Sequence, residues 1–147
     1  MSRRTLAEAG KALMIRRLQQ EAALLRLRAQ QRVSLAAGEE LDRSVERHLA
    51  SEQAWTDALN DTVDADVVGL WRAHTEDRLG DVRTARLAWE EETASEARFG
   101  AAWARQVRLA EAVQDVVRAA GRKARRADEE RRLGAAEDAR MARGMRS

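Results

Sequence analysis

The stretch VGLWRAHTEDRLGDVRTARLAWEEETASEARFGAAWARQVRLAEAVQDVVRAAGRKARRA, residues 68–127, decides the fold. Taken at alternating steps of three and four it reads Val68, Trp71, Thr75, Arg78, Val82, Ala85, Trp89, Glu92, Glu96, Phe99, Trp103, Gln106, Ala110, Val113, Val117, Ala120, Ala124, Ala127. A 3.5-residue repeat keeps one stripe of a helix against a neighbouring helix, which is a coiled-coil seam. The stripe carries three of the four tryptophans and the only phenylalanine. No proline interrupts it, and at 1.5 Å per residue such a helix would be roughly 90 Å long.

A helix of that kind needs a partner, and the preceding residues supply one. Thr5 and Glu8 match a capping box, which predicts a helix start near Thr5. Ile15, Leu18, Ala22, Leu25 and Ala29 repeat in 3-4 spacing, with Leu13, Leu24 and Leu27 widening the stripe. The register drifts between Arg32 and Gly38, where a glycine predicts a bend or stutter. It resumes at Leu41, Val45, His48 or Leu49, Trp55 and Leu59. Asn60-Asp61-Thr62-Val63-Asp64-Ala65-Asp66 then collects side chains that compete for backbone hydrogen bonds and favour turns and caps. Asp64 or Asp66 is the expected cap of the next helix.

The expected fold is therefore all-α: a single antiparallel coiled-coil hairpin over residues 1–147. Its first helix spans about 5–59, its turn about 60–66, and its longer second helix about 67–143. Folding at about residue 62 pairs i with about 124 − i, so that Leu59 meets Ala65, Leu25 meets Phe99, Leu18 meets Gln106 and Leu6 meets Arg118. From Gly121 onward the second helix has no partner in the hairpin. Composition agrees: 35% charged residues, 3% aromatic, no proline, cysteine or tyrosine, a mixture suited to long helices and poor in core-forming bulk.

Charge is segregated along the chain. Residues 1–32 hold eight basic and two acidic side chains, and residues 118–147 hold ten and five; residues 39–98 hold seven and sixteen. A hairpin would gather the two basic segments at one end and leave the turn end acidic, a field that orients an approaching partner. The alternative is that solvated helices need charge and that the clustering is chance.

Catalytic signatures are missing. The glycine patterns of nucleotide cradles and nucleophile elbows are absent, as is any cysteine nucleophile. Val45 and Trp71 stand where a Glu-x-x-His metal motif would need glutamates before His48 and His74. His48 and Glu52 read as a solvent-exposed i, i+4 pair, and Glu90-Glu91-Glu92 as a solvated face. No enzyme, cofactor, metal or small-molecule substrate is expected. Trp71, Trp89 and Trp103 read as seam, whereas Trp55 falls opposite Trp71 near the turn and beside His74. Two helices cannot wholly cover an indole, so the Trp55–Trp71 neighbourhood is a candidate partner patch. Glu92 and Glu96 sit awkwardly in the seam and mark either looseness or a third element.

The tail Gly121-Arg122-Lys123-Ala124-Arg125-Arg126 has the charge for phosphate contacts, but Asp128-Glu129-Glu130 follow at once and stacking aromatics are missing, which disfavours nucleic acid. No apolar run reaches the ~20 residues of a membrane span. Met-Ser-Arg-Arg followed by no apolar stretch does not read as a secretory leader, so the expected location is the cytoplasm.

Three features together resemble the FliJ family of flagellar export proteins and its injectisome counterparts: helix, turn and longer helix at this length; the post-turn run Leu70-Trp71-Arg72-Ala73-His74 leading to Arg83, Arg86 and Trp89; and the closing Glu129-Glu130-Arg131-Arg132-Leu133 and Glu137-Asp138-Ala139-Arg140-Met141-Ala142-Arg143. The resemblance implies a non-catalytic stalk similar to the central stalk of rotary ATPases. It implies that basic termini (Arg3, Arg4, Lys11, Arg122, Lys123, Arg125, Arg126) enter the ring of a hexameric export ATPase. It places an export-gate patch at Leu41, Val45, His48, Trp71 and His74, to which Trp55 belongs by its position. An export ATPase hexamer, the export gate membrane protein and export chaperones are the implied partners, with the chain peripheral at the inner membrane face. The alternatives are a coiled-coil scaffold or chaperone that self-associates and, less favoured, a nucleic-acid-binding helical protein.

Overall fold

A computed structural model describes residues 3–61 and 64–146. They form two α-helices, α1 (Arg3–Asp61) and α2 (Ala65–Met145). The helices pack antiparallel as a coiled-coil hairpin whose second helix is the longer, with Ser34 against Glu92 and Trp55 against Trp71. Alanine, leucine, arginine and glutamate lose little on entering a helix, and no proline removes a backbone donor.

Helix α1 already runs from Arg3, so Thr5 lies inside its first turn rather than at its cap, and Glu8 pairs with Arg4 at 3.4 Å. At the other junction Asp64 caps α2. Its Oδ1 accepts from the Asp66 amide at 3.0 Å, and its carbonyl accepts from the Val68 amide at 3.0 Å. Of the expected turn, Asn60 and Asp61 are helical and Asp66 belongs to α2, while Thr62 and Val63 lie outside the described residues. Gly38 lies inside α1, which is helical on both sides of it.

The chain divides into two compact units, and both helices contribute to each: Met1–Ala23 with Trp103–Ser147, and Leu24–Ala102. The first unit carries 17 basic and nine acidic side chains, the second ten and sixteen. The charge segregation read from the sequence thus follows this division.

In the second unit most of the α2 seam faces inward: Ala85 is buried, and Val68, Trp71, Thr75, Arg78, Val82, Glu92 and Glu96 are half-buried, whereas Trp89 and Phe99, expected in the seam, are exposed. The opposing seam on α1 is Leu27, Gln30, Ser34, Ala37, Leu41, Ser44, His48, Ser51 and Trp55, again at steps of three and four and all at least half-buried. Small and polar side chains prevail there because α2 brings the bulk. The indole of Trp89 lies over Gly38, where a Cβ would stand 3.4 Å from Nε1. The residue facing i is about 126 − i (Ser34 with Glu92, Trp55 with Trp71) rather than 124 − i. Leu27, not Leu25, therefore reaches across beside Phe99, to Gly100, and Leu25 is 58% exposed.

In the first unit Ala110 and Ala120 are buried, and Trp103, Gln106, Val113, Val117 and Ala124 half-buried. On α1 the inward positions are Leu6, Ala9, Leu13, Arg16, Gln20 and Ala23. Ile15 and Leu18, expected in the seam, are 56% and 60% exposed. Leu6 lies with Ala120 and Lys123 rather than Arg118.

Gly69 and Gly80 lie inside α2 with open space where a Cβ would project. Nothing in the packing calls for glycine at either position. Gly69→Ala and Gly80→Ala are each expected to stabilise the protein by about 0.5–1 kcal/mol. Urea unfolding followed by circular dichroism checks this; destabilisation by either change would show that the helix needs the missing side chain.

Candidate functional site

In the first unit the α2 register continues beyond the last described residue of α1. Arg3 falls opposite about Lys123, so Ala124 and Ala127 extend the seam with no described α1 residue across from them. The consequence is a cavity of about 450 Å³. Its floor is Leu6, Ala120, Ala124 and Ala127, and its rim is Arg3, Lys123, Asp128 and Arg131. The small alanine side chains of α2 leave this space open.

The rim is cationic. Arg131 Nη2 holds the Asp128 carboxylate at 2.7 Å and its Nε donates to the Ala127 carbonyl at 3.3 Å. The one acid on the rim is thereby paired within its own helix. Arg3 and Lys123 make no salt bridge among the described residues, so their charge is available to a ligand. Arg4, Lys11, Arg122, Arg125 and Arg126 are exposed in the same unit but do not line the cavity. The Arg4–Glu8 pair is 90% and 61% exposed and contributes little in water.

The residues assigned to a gate patch all lie in the second unit. Trp55 and Trp71 stack with centroids 3.6 Å apart at 13°. A neighbouring cavity of about 210 Å³ is lined by Ser51, Ala54, Trp55, Trp71 and His74. His74 Nε2 lies 3.2 Å from Ser51 Oγ, bridging the two helices. His48 Nε2 meets Glu52 Oε1 at 3.2 Å, but the histidine side chain is only 14% exposed, so the imidazole lies in the seam and Glu52 is the half of the pair that reaches solvent. Leu41, Val45, His48 and Trp71 are half-buried and Trp55 is buried, which leaves His74 as the exposed member of the set.

Glu92 is likewise not part of a solvated face. Gln30 Nε2 donates to its Oε2 at 2.5 Å and to its carbonyl at 3.1 Å, and Ser34 Oγ donates to the same carbonyl at 3.0 Å. Elsewhere in this unit Glu40 accepts from Arg47 at 2.9 Å and Arg43 at 3.2 Å. Those two guanidiniums, Arg47 first, hold its carboxyl below the ordinary range.

No protein-family model matches this chain, nor does any curated protein or solved structure. The geometry of the two units therefore carries the functional reading. Among the described residues no cluster of three or more histidine, aspartate or glutamate side chains is placed to hold a metal, and no helix is long and apolar enough to cross a membrane.

Gln30 and Ser34 belong to no motif, and Asp128 and Arg131 stand out in the sequence only as members of the charged runs of the tail. Arg131 could have been found by carrying the register one step past Ala127. Gln30 and Ser34 are polar residues at inward positions of α1, and only the cross-helix register reveals what they hold.

Proposed function

We propose that this chain is a non-catalytic stalk or adaptor of a type III export apparatus, flagellar or injectisome. Its basic termini seat in the ring of a hexameric export ATPase and couple that ring to the export gate in the membrane. The observation that supports this reading is the open end of the seam in the first unit. There α2 continues in register with an alanine floor, ringed by Arg3, Lys123 and Arg131. A seam kept in register past the described residues of α1 is suited to receiving another protein, and three cations on its rim favour carboxylates on that protein. Export chaperones are further partners on this reading. The chain would work in the cytoplasm, peripheral to the inner face of the membrane.

The test is the hydrolysis rate of an export ATPase with and without the full chain. The chain is expected to raise that rate, and Lys123→Glu combined with Arg131→Glu to abolish most of the increase while leaving the helical content unchanged. An ATPase indifferent to the intact chain would end the proposal.

A second reading, a scaffold that self-associates, is favoured by Met14, Ile15 and Leu18, which are 64%, 56% and 60% exposed on the outer side of α1. Sedimentation across a range of concentrations separates the two. A dimer that Leu18→Glu dissolves would support the scaffold, and a monomer throughout would remove it.

A further inference from the structure

We propose that the end of α2, in the first unit, is a self-association site: it takes the same stretch of a second copy of this chain, running antiparallel. Every residue from Arg125 to Arg146 is exposed. A lone helix of about five turns is marginal in water, because helices draw most of their stability from packing one face. The seam defines the face on offer. Continued past Ala120 at alternating steps of four and three, the register reads Ala124, Ala127, Arg131, Gly134, Asp138, Met141 and Met145. Met141 and Met145 are 69% and 89% exposed.

The order of these side chains complements its own reverse. Small residues stand at one end and large ones at the other, with a cation before the glycine and an anion after it. Turned end for end, a second copy sets Met145 against Ala127, Met141 along the aliphatic stem of Arg131, and Asp138 over Gly134, one turn from the Arg131 guanidinium. Large against small is the packing a seam requires, and glycine lets the two helices approach closely. Each contact occurs twice, because a two-fold axis makes the interface self-complementary. A parallel copy would set Arg131 against Arg131 and Asp138 against Asp138. Arg131 holds Asp128 of its own helix at 2.7 Å, but the two side chains are 76% and 59% exposed, so that pair is weak enough to exchange. Charge confines self-association to this stretch. Residues 127–145 hold five acidic and four basic side chains, whereas the rest of the first unit holds four and thirteen. Two copies meeting through the rest would repel; through the tail they meet nearly neutral. One like-charge contact remains, since Glu137 flanks the seam at the axis and faces its counterpart. Ala127 and Arg131 also border the open end of the seam, so on the export reading a second copy and the ATPase compete for it. Dimerisation itself does not depend on that reading and is measured without any ATPase.

The experiment is sedimentation equilibrium of the full chain from about 1 μM to about 1 mM, the range of weak complexes. An overlap of about five turns is small for a specific interface, so a micromolar dimer is expected. Met141→Glu should weaken it at least about tenfold, the effect of losing one good anchor. Leu133→Glu, on the outer side of the same helix, should leave it unchanged. Arg131→Glu and Asp138→Lys should each weaken the dimer, and the two together should restore it, while Glu137→Gln should tighten it. The chain has no cysteine, so Ala135→Cys gives one thiol per copy, beside the axis. Mild oxidation should link two such copies, and should not link copies carrying Ala139→Cys on the outer side. A monomer across the whole range overturns the proposal. So does a dimer indifferent to Met141→Glu, or a charge exchange that restores nothing. A dimer dissolved by Leu18→Glu but not by Met141→Glu would place the contact on the outer side of α1 and overturn it equally.

Discussion

Replacing Trp55 by alanine is expected to destabilise the second unit by about 3 kcal/mol, the lower end of the range for truncating a buried indole. Trp55 is 7% exposed, the most enclosed large side chain of that unit. Its neighbours along α1 are Ser44, His48 and Ser51, too small or too polar to close over the space it leaves. The site is also under-filled already, with a cavity of about 210 Å³ beside the ring. Truncation therefore admits water, which caps the loss below that of a sealed core. The stack on Trp71 is nearly face to face, with centroids at 3.6 Å and planes at 13°. That geometry gains from area and dispersion more than from the fit of ring quadrupoles. The coupling between Trp55→Ala and Trp71→Ala should accordingly lie near ~0.5 kcal/mol, the weak end for aromatic pairs. Long helical pairs need not unfold as one, so hydrogen exchange is the better measurement. Amides around Trp55 and Trp71 should exchange faster in Trp55→Ala, with those around Ala110 and Ala120 unchanged. A loss under about 1 kcal/mol would mean that the indole stabilises nothing beyond its own desolvation.

The two helices differed in how far the sequence disclosed them. The α2 seam was legible because its heptads run unbroken and its inward side chains are the largest on the chain. Helix α1 carries two 3-4 registers, and the bulkier one, Ile15, Leu18, Ala22, Leu25 and Ala29, suggested the seam. The structure turns Ile15, Leu18 and Leu25 outward and packs Leu13, Ala23, Leu27, Ser34 and Ser44 instead. A seam is filled by the sum of two side chains, and the half-buried Trp71 and Trp103 on α2 leave room opposite them only for smaller partners. Hydrophobicity read on one helix at a time cannot see that constraint. The same limit hid the hydrogen bonds of Glu92, since an error of two residues in the cross-helix register separates it from Ser34. The open end of the seam was legible by counting back from the turn, which puts Arg3 opposite about Lys123 and no described α1 residue opposite Ala124 and Ala127. Its rim needed the register extended to Arg131. The alternative explanations offered for Glu92 and Glu96 part here: Glu92 is bound within the helix pair, whereas Glu96, half-buried at the next seam position, makes no such bond.

The second large effect is expected where Gln30, Ser34 and Glu92 meet. Gln30→Leu alone should cost about 1–2 kcal/mol, because it leaves the half-buried Glu92 carboxylate without its short amide contact. Glu92→Leu alone should cost less. The carbonyl of residue 92 still accepts from Gln30 and Ser34, and the leucine adds apolar area to the seam. The double change should be close to neutral or stabilising, since replacing both members of a polar pair removes the desolvation penalty together with the bond. The cycle is therefore expected to be strongly non-additive, and urea unfolding of the four proteins measures it. Additive losses would mean that the amide and the carboxylate each bind water in preference to one another. The double change should also loosen register. With the polar pair gone, sliding α1 by a heptad no longer strands a carboxylate against leucine, so the mutual alignment of Ser34 with residue 92 loses its penalty for error. Spin labels on exposed residues of α1 and α2 in the second unit should then report a broader distance distribution in the double variant than in the wild type. A distribution as narrow as the wild type's would place the register in the Trp89–Gly38 and Trp55–Trp71 contacts instead, where bulk against small side chains performs the same selection without hydrogen bonds.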